Sequence, residues 1–349
     1  MVPEGPPIRK TIKVNRVYLN KLVNDFQRTI SNLDNLEDKD LPTAKKLYDL
    51  FVEPISKELA ALNIDTLVFS FDAGLRQLPI AAFYDGEHFL VEKYSLGSIP
   101  SVSLTSTNYQ SLKNAQVLAM GASEFLDKPA LPAVPIELSA IAGTIRNNQN
   151  APELALWPGR FFLNQDFTLE NLTKQRQQQQ AFDIVHLATH ASFPQNQYGR
   201  KEAEIDLWKR SLALDEFRLA KWYDRRQVQL LVLSACETAI GDSTAEMGFA
   251  GLAVRSGVKS ALASLWNVND FATLGLMTEF YANLRSAPIK AEALRQAQLA
   301  MIRKQVVIKD GKLVGTQRAI DLTQAGQVAN SDLSHPKFWA GFTLIGSPW

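Results

Sequence analysis

From residue 115 onward, short apolar runs alternate with segments of helical period, and this alternation constrains the fold more than any other feature of the chain. "AQVLAMGAS", "LWPGRFFLN", "AFDIVHLATHASF", "VQLLVLSACET", "KSALASLWNV" and "FWAGFTLIGSPW" read as strands, because each is nearly continuously apolar over strand length. Between them, "PIELSAIAGTIRN", "TLENLTKQRQQQQ" and "MGFAGLAVRSG" read as helices, the second capped by Thr168 with Asn171 three residues on, the third ended by Gly257. "FATLGLMTEFYANLRS" and "KAEALRQAQLAMIRKQ" read as two longer helices, the polar face of the latter solvated. Strands buried on both faces and joined through helices predict an α/β fold with a mainly parallel central sheet.

Upstream the pattern differs. Residues 17–33 and 41–62 have helical spacing, the second stretch bent at Pro54, and "DTLVFSFD" reads as a strand. Asp85-Gly86 between apolar segments predicts a hairpin. The expected organisation is an N-terminal helical and β-hairpin region over 1–112 and an α/β domain over 113–349. With 349 residues and 46% hydrophobic content, the chain can bury a sizeable core. Its net charge of +1 supplies no bulk attraction for nucleic acid or an acidic membrane. One cysteine cannot close an internal disulfide, which suits a reducing compartment. No apolar run approaches the ~20 residues that span a bilayer, and "MVPEGPPIRKTIKVN" lacks the apolar centre of a signal peptide. A cytoplasmic protein is expected, and the Pro/Gly-rich opening reads like a cut through a longer chain.

In open α/β sheets, reactive groups gather at the C-terminal ends of strands. Two strands here end in useful chemistry: "DIVHLATH" delivers His190 and "LLVLSAC" delivers Cys236. A thiol becomes a competent nucleophile when an imidazole takes its proton, and the N–H groups of Cys236 and of the residues after His190 could hold an oxyanion. The competing reading of Cys236 is a small core residue. "HLATH" also invites a metal site, but on a strand His186 and His190 stand ~13 Å apart, too far to share an ion. His186 therefore reads as a hydrogen-bonded core residue, His335 as shaping the turn before Pro336, and His88 as following a turn. "GDS" at 241–243 reads as a loop, and no phosphate-binding glycine loop occurs, so no cofactor and no metal are expected.

Taken in order, "DIVHLATHASF", "LLVLSACETAIGD", "GVKSALASLWNVNDFAT" and "HPKFWAGFTLIGSPW" resemble the CHAT family of caspase-like, separase-related cysteine peptidases of clan CD type. The resemblance extends upstream through "LYDLFVEPISKELAALNIDTLVFSFDAGLRQLPIAAFYDG" and "LAMGASEF", covering roughly residues 41–349. The ending "TLIGSPW" resembles cyanobacterial members. The resemblance implies a caspase-like three-layer sandwich with an N-terminal companion half, and a dyad of His190 as base and Cys236 as nucleophile. It implies hydrolysis of a protein or peptide substrate through an acyl-enzyme, with no cofactor, and a regulatory domain or partner protein in place of the absent tetratricopeptide repeats. No direct nucleic-acid or membrane contact is implied.

Ala191 stands where the family has glycine, and this departure bears on the oxyanion hole formed with Cys236. A negative φ there is expected to leave the chain active; a positive φ would point to a weakened or inactive relative that serves as an interaction or signalling module. By the resemblance, Asp270 lines up with an acidic residue of separase that binds arginine, and Asp183 is a second candidate carboxylate for an Arg or Lys before the scissile bond; Glu237 reads either as orienting a substrate or as solvating the loop. The alternative for Asp270 is the cap of the helix that starts at Phe271. Residues 195–211 read either as a substrate-gating loop or as a plain surface loop. Trp266, Trp339, Trp349, Phe338 and Phe342 read as core or sheet-edge packing.

Overall fold

A computed structural model of the chain describes residues 7–31, 41–72, 74–143, 155–178, 182–192, 204–213, 216, 222, 227–235 and 248–349. Its strands, in chain order, are β1 (Thr66–Phe69), β2 (Ser95–Ser98), β3 (Val117–Gly121), β4 (Ala142–Gly143), β5 (Trp157–Leu163), β6 (Ile184–Ala188), β7 (Ala191–Ser192) and β8 (Glu204–Leu207). They continue with β9 (Arg210–Ala213), β10 (Leu230–Ser234), β11 (Ser260–Ser264), β12 (Val307–Lys309), β13 (Lys312–Val314), β14 (Ala319–Asp321), β15 (Ser331–Asp332) and β16 (Phe342–Gly346).

Among the described residues, nine strands form one sheet in the order β1-β2-β16-β11-β10-β6-β3-β5-β4. Every pairing in it is parallel except that of β11 with β16. The continuous apolar runs find their reason here: all residues of β3, β6, β10 and β11 are buried, as strands covered on both faces require. The chain is thus an α/β protein with a large, mainly parallel sheet. The Val134–Ile141 helix packs against the Asp270–Leu284 helix and β3, and the Lys290–Ile302 helix against Asp270–Leu284.

Local sequence signals act as expected at several points. The 41–62 stretch breaks at Pro54 into the helix Leu41–Phe51, a 3-10 turn Glu53–Ile55 and the helix Ser56–Ala61, because proline has no N–H to continue the ladder. Thr168 Oγ1 accepts the Asn171 N–H at 3.1 Å and caps the Leu169–Gln177 helix. His335 Nδ1 accepts the Lys337 N–H at 3.2 Å in the turn at Pro336. Trp266 and Trp339 are buried.

Two expectations are corrected, one is met in reduced form, and one element was not anticipated from the sequence. The Asp85-Gly86 hairpin is reduced to one antiparallel bridge, Tyr84 with Phe89, flanked by the Asp85 N–H to His88 carbonyl and Leu90 N–H to Phe83 carbonyl bonds; Asp85 Oδ1 accepts the N–H groups of Glu87 and His88, and a short helix follows at Leu90–Lys93. The segment 195–211 is not a plain loop over its described part, because β8 and β9 form an antiparallel hairpin there, turning at Lys209 with φ 56°. Residues 307–332 form a four-stranded antiparallel sheet of their own, β14-β13-β12-β15. The polar face of the Lys290–Ile302 helix is not solvated throughout: Gln298 is buried and donates to the Trp339 and Phe342 carbonyls, while Arg295 donates to those of Val91 and Glu92. Among the described residues no helix is long and apolar enough to cross a membrane.

The closest inter-strand approach beside the candidate site is at Gly121, where an added Cβ would lie 2.4 Å from the Ala188 carbonyl oxygen and 3.0 Å from Val134 Cγ1. Backbone cannot yield as a side chain can, so Gly121→Ala is expected to destabilise the fold by about 1–3 kcal/mol. Urea denaturation checks this, and an unchanged midpoint would contradict the close β3–β6 approach.

Candidate active site

Parallel pairing brings β3, β6, β10 and β11 to one edge by their C-terminal ends. The β6–β10 register runs from Ile184↔Leu230 to Ala188↔Ser234, and the Thr189 N–H continues it by donating to the Ser234 carbonyl at 3.2 Å. His190 follows Ala188 by two residues, and Cys236 follows Ser234 by two. The structural statement ends at Ala235, since Cys236 and Glu237 lie outside the described residues.

His190 is fixed from three directions. Its ring Nε2 is 2.8 Å from the Pro129 carbonyl oxygen. A carbonyl only accepts, so Nε2 carries a hydrogen, and in the neutral ring Nδ1 is then the acceptor, the tautomer a general base needs. The Phe125 ring packs on the imidazole with centroids 4.5 Å apart. The His190 carbonyl accepts the Asp206 N–H at 2.9 Å, and Thr189 Oγ1 donates to the Asp206 carbonyl at 2.7 Å. Asp206 in turn holds Lys128 in an ion pair and accepts from Ser211 Oγ at 2.8 Å. It therefore ties the β8–β9 hairpin both to the histidine segment and to the loop that carries Pro129.

Ala191 opens β7, opposite Ile205. It is absent from the residues with positive φ, which are Asn63, Asn164, Lys209, Lys304 and Asp310 among the described non-glycines. The backbone there is open to any L-residue, so alanine in place of glycine brings no conformational penalty.

A narrow cleft of about 30 Å³ lies at the ends of β6, β10 and β11, beside Thr189, Ser234, Ala235, Ser264 and Asp270. That is space for about one water, so a larger group requires its walls to part. Asp270 does not cap its own helix. Asn269 does, its Oδ1 accepting the Phe271 and Ala272 N–H groups at 3.1 Å. Asp270 Oδ2 instead accepts the Ala133 N–H at 2.7 Å, at the start of the Val134–Ile141 helix. Burial is the main cause that pushes its carboxyl up to about 7, with the Glu137 charge adding and the Ala133 N–H opposing.

Asp183 is not brought to this edge. It precedes β6 at the other end of the sheet, buried, its carbonyl accepting the Gln229 and Leu230 N–H groups. Seven residues of extended chain separate it from His190, about 23 Å. His186 lies within the strand, fully buried, with Nδ1 3.2 Å from the Tyr281 hydroxyl and Nε2 2.9 Å from Glu137 Oε1. It is a core residue, as its strand position implies. No group of three or more His, Cys, Asp or Glu forms a candidate metal site among the described residues. Sequence reasoning missed Pro129, Phe125 and Asp206. The Pro129 contact is a backbone carbonyl, which carries no residue signature; Asp206 lay in a charged stretch that reads as surface.

Fold and site together define an α/β protein with an oriented histidine at the C-terminal edge of a parallel sheet. The CHAT domain profile matches residues 41–347, and the chain belongs to the CHAT domain family. No curated protein matches it. Similar solved structures include the complex of Porphyromonas gingivalis RgpB pro- and mature domains, 11% identical over 96% of this chain and 77% of that one, with a TM-score of 0.47. The Saccharomyces cerevisiae separase–securin complex is another, 10% identical over 94% of this chain and 20% of that one, with a TM-score of 0.48.

The raised carboxyl of Asp270 sets a pH dependence of stability. Folding holds a proton there up to about 7, whereas the unfolded chain releases it near 3.8. Stability is therefore expected to fall as pH rises across that window and to level off above it. Asp270→Asn removes this component of the slope, which denaturation at a series of pH values measures.

Proposed function

We propose that this chain is a cysteine endopeptidase in which His190 is the base and Cys236 the nucleophile. The observation that carries the reading is the orientation of His190: Nε2–H is taken by the Pro129 carbonyl, and Nδ1 is left as acceptor at the edge where the β10 chain continues to Cys236. In the proposed reaction, Nδ1 takes the thiol proton as sulfur attacks the scissile carbonyl carbon. The Ala191 and Cys236 N–H groups receive the oxyanion. The imidazolium then protonates the departing amine as the C–N bond breaks, leaving a thioester. Water, deprotonated by the same nitrogen, hydrolyses the thioester and restores the thiol.

Asp270, released from helix capping and set in the cleft beside Ser234 and Ser264, is proposed to receive the Arg or Lys side chain before the scissile bond, the narrow cleft widening as substrate enters. Substrates are proteins or peptides, and an upstream domain or partner protein is proposed to regulate access. The non-positive φ of Ala191 supports an active member over an inactive interaction module.

Peptide libraries with defined residues before the bond test this. Wild type is expected to cleave after Arg and Lys, and Cys236→Ala and His190→Ala to lose at least about 10²–10⁴-fold in kcat/KM. Equal cleavage by wild type and Cys236→Ala would remove the nucleophile assignment. Asp270→Asn is expected to lose about tenfold or more on basic substrates and little on apolar ones. Since its carboxyl ionises near 7, wild-type kcat/KM should rise through that value more steeply for basic than for apolar peptides, and this excess should be absent in Asp270→Asn.

A further inference from the structure

On the flank of His190 away from β10, between the loop after β3 and the β8–β9 hairpin, lies an open cavity of about 330 Å³. Phe125, Leu126, Leu207 and Trp208 supply its apolar lining. Leu126 is 86% exposed and lines the cavity together with the half-buried Trp208. The charges at the base compensate one another, since Lys128 pairs with Asp206. At the rim, the Lys209 ammonium lies 5.4 Å over the Trp208 ring. Glu124, Asp127 and Arg210 also line it, Arg210 paired with Glu216, so the cavity offers a ligand apolar and aromatic surface beside charged groups, with a volume near the lower end for binding pockets.

Phe125 connects this cavity to the chemistry, because the ring that lines it also packs on the His190 imidazole. The sheet order β11-β10-β6-β3 gives a direction. The Asp270 cleft lies at the ends of β11, β10 and β6 and is closed by Leu131 and Val134, while the cavity is lined by residues 124–128, directly after β3, and by the β8–β9 hairpin, next to the Phe125 ring that touches the imidazole. An imidazolium that protonates the departing amine must have that amine on its own side. The segment C-terminal to the scissile bond then leaves past His190, and its first side chain meets Phe125.

We infer that this cavity is the subsite for a bulky apolar side chain, aromatic, Leu or Met, carried by the residue directly C-terminal to the scissile bond. The inference rests on the peptidase reading for its direction. It adds a selection that Asp270 cannot make, so that a substrate is read on both sides of the bond.

Binding of the leaving segment tests it without requiring turnover. Pentapeptides with a free α-amino group, Phe, Leu, Ser or Asp in first position and a dye at the C-terminus are titrated with the full chain carrying Cys236→Ala, followed by fluorescence anisotropy. The Phe- and Leu-first peptides are expected to bind about tenfold more tightly than the others. Leu126→Asp should abolish that difference and Trp208→Ala should reduce it, both variants keeping the wild-type circular dichroism spectrum. Absent binding, equal binding of all four peptides, or discrimination that survives both substitutions overturns the subsite. Failure of the peptidase reading is separate, and shows as equal cleavage by wild type and Cys236→Ala.

Discussion

The in-register parallel pairing of β6 with β10 is the constraint on which the whole site depends. Parallel strands end at the same edge, so this pairing brings Ala188 and Ser234, each two residues before a residue of the proposed dyad, to one edge. Register matters as much as direction, because a slip of one residue turns every side chain to the opposite face. His186 guards against that slip: buried between Glu137 and Tyr281, it ties β6 to the Val134–Ile141 and Asp270–Leu284 helices. Turning the imidazole to the other face would break its hydrogen bond with the Tyr281 hydroxyl and strand a buried polar ring, which is unfavourable. His190, four residues on, inherits its placement from that core contact.

Beyond the strand end, irregular backbone takes over the positioning. Pro129 sets the ring nitrogen that carries hydrogen, Phe125 covers one ring face, and Asp206 binds both flanking segments. None of these groups is a proton carrier in the proposed reaction; they hold the one that is. Asp270 sits on the other flank, with its charge held back by burial and by Glu137. A cationic substrate group would relieve both effects, which couples recognition to ionisation at the cleft.

Long-range architecture was legible where burial shaped composition. The fully buried runs of β3, β6, β10 and β11 could only be central strands, and His186 within one of them could only be a core residue. Thr168 and Pro54 acted locally and were equally legible. Short, half-exposed strands were not. β8 and β9 are four residues each, rich in charge, and turn at a lysine rather than a glycine. The β12–β13 hairpin did carry a signal, Asp310-Gly311 with φ 52° and 71°, between "VIK" and "KLV". The same dipeptide at 85–86 made only a bridge, because Asp85 used its side chain to close a turn with Glu87 and His88. Asp270 illustrates a further limit: Asn269 competes for the same cap, and only the tertiary position of Ala133 decides between them.

The claim at the centre of this account is that His190 activates the thiol of Cys236, and the single cysteine makes it directly measurable. The rate of alkylation by iodoacetamide, followed against pH in wild type and in His190→Ala, reads the thiolate fraction at that one residue. The account predicts that wild type stays reactive well below the ordinary thiol pKa of about 8.5, and that the variant returns to that ordinary profile. Superimposable profiles for the two proteins would contradict it.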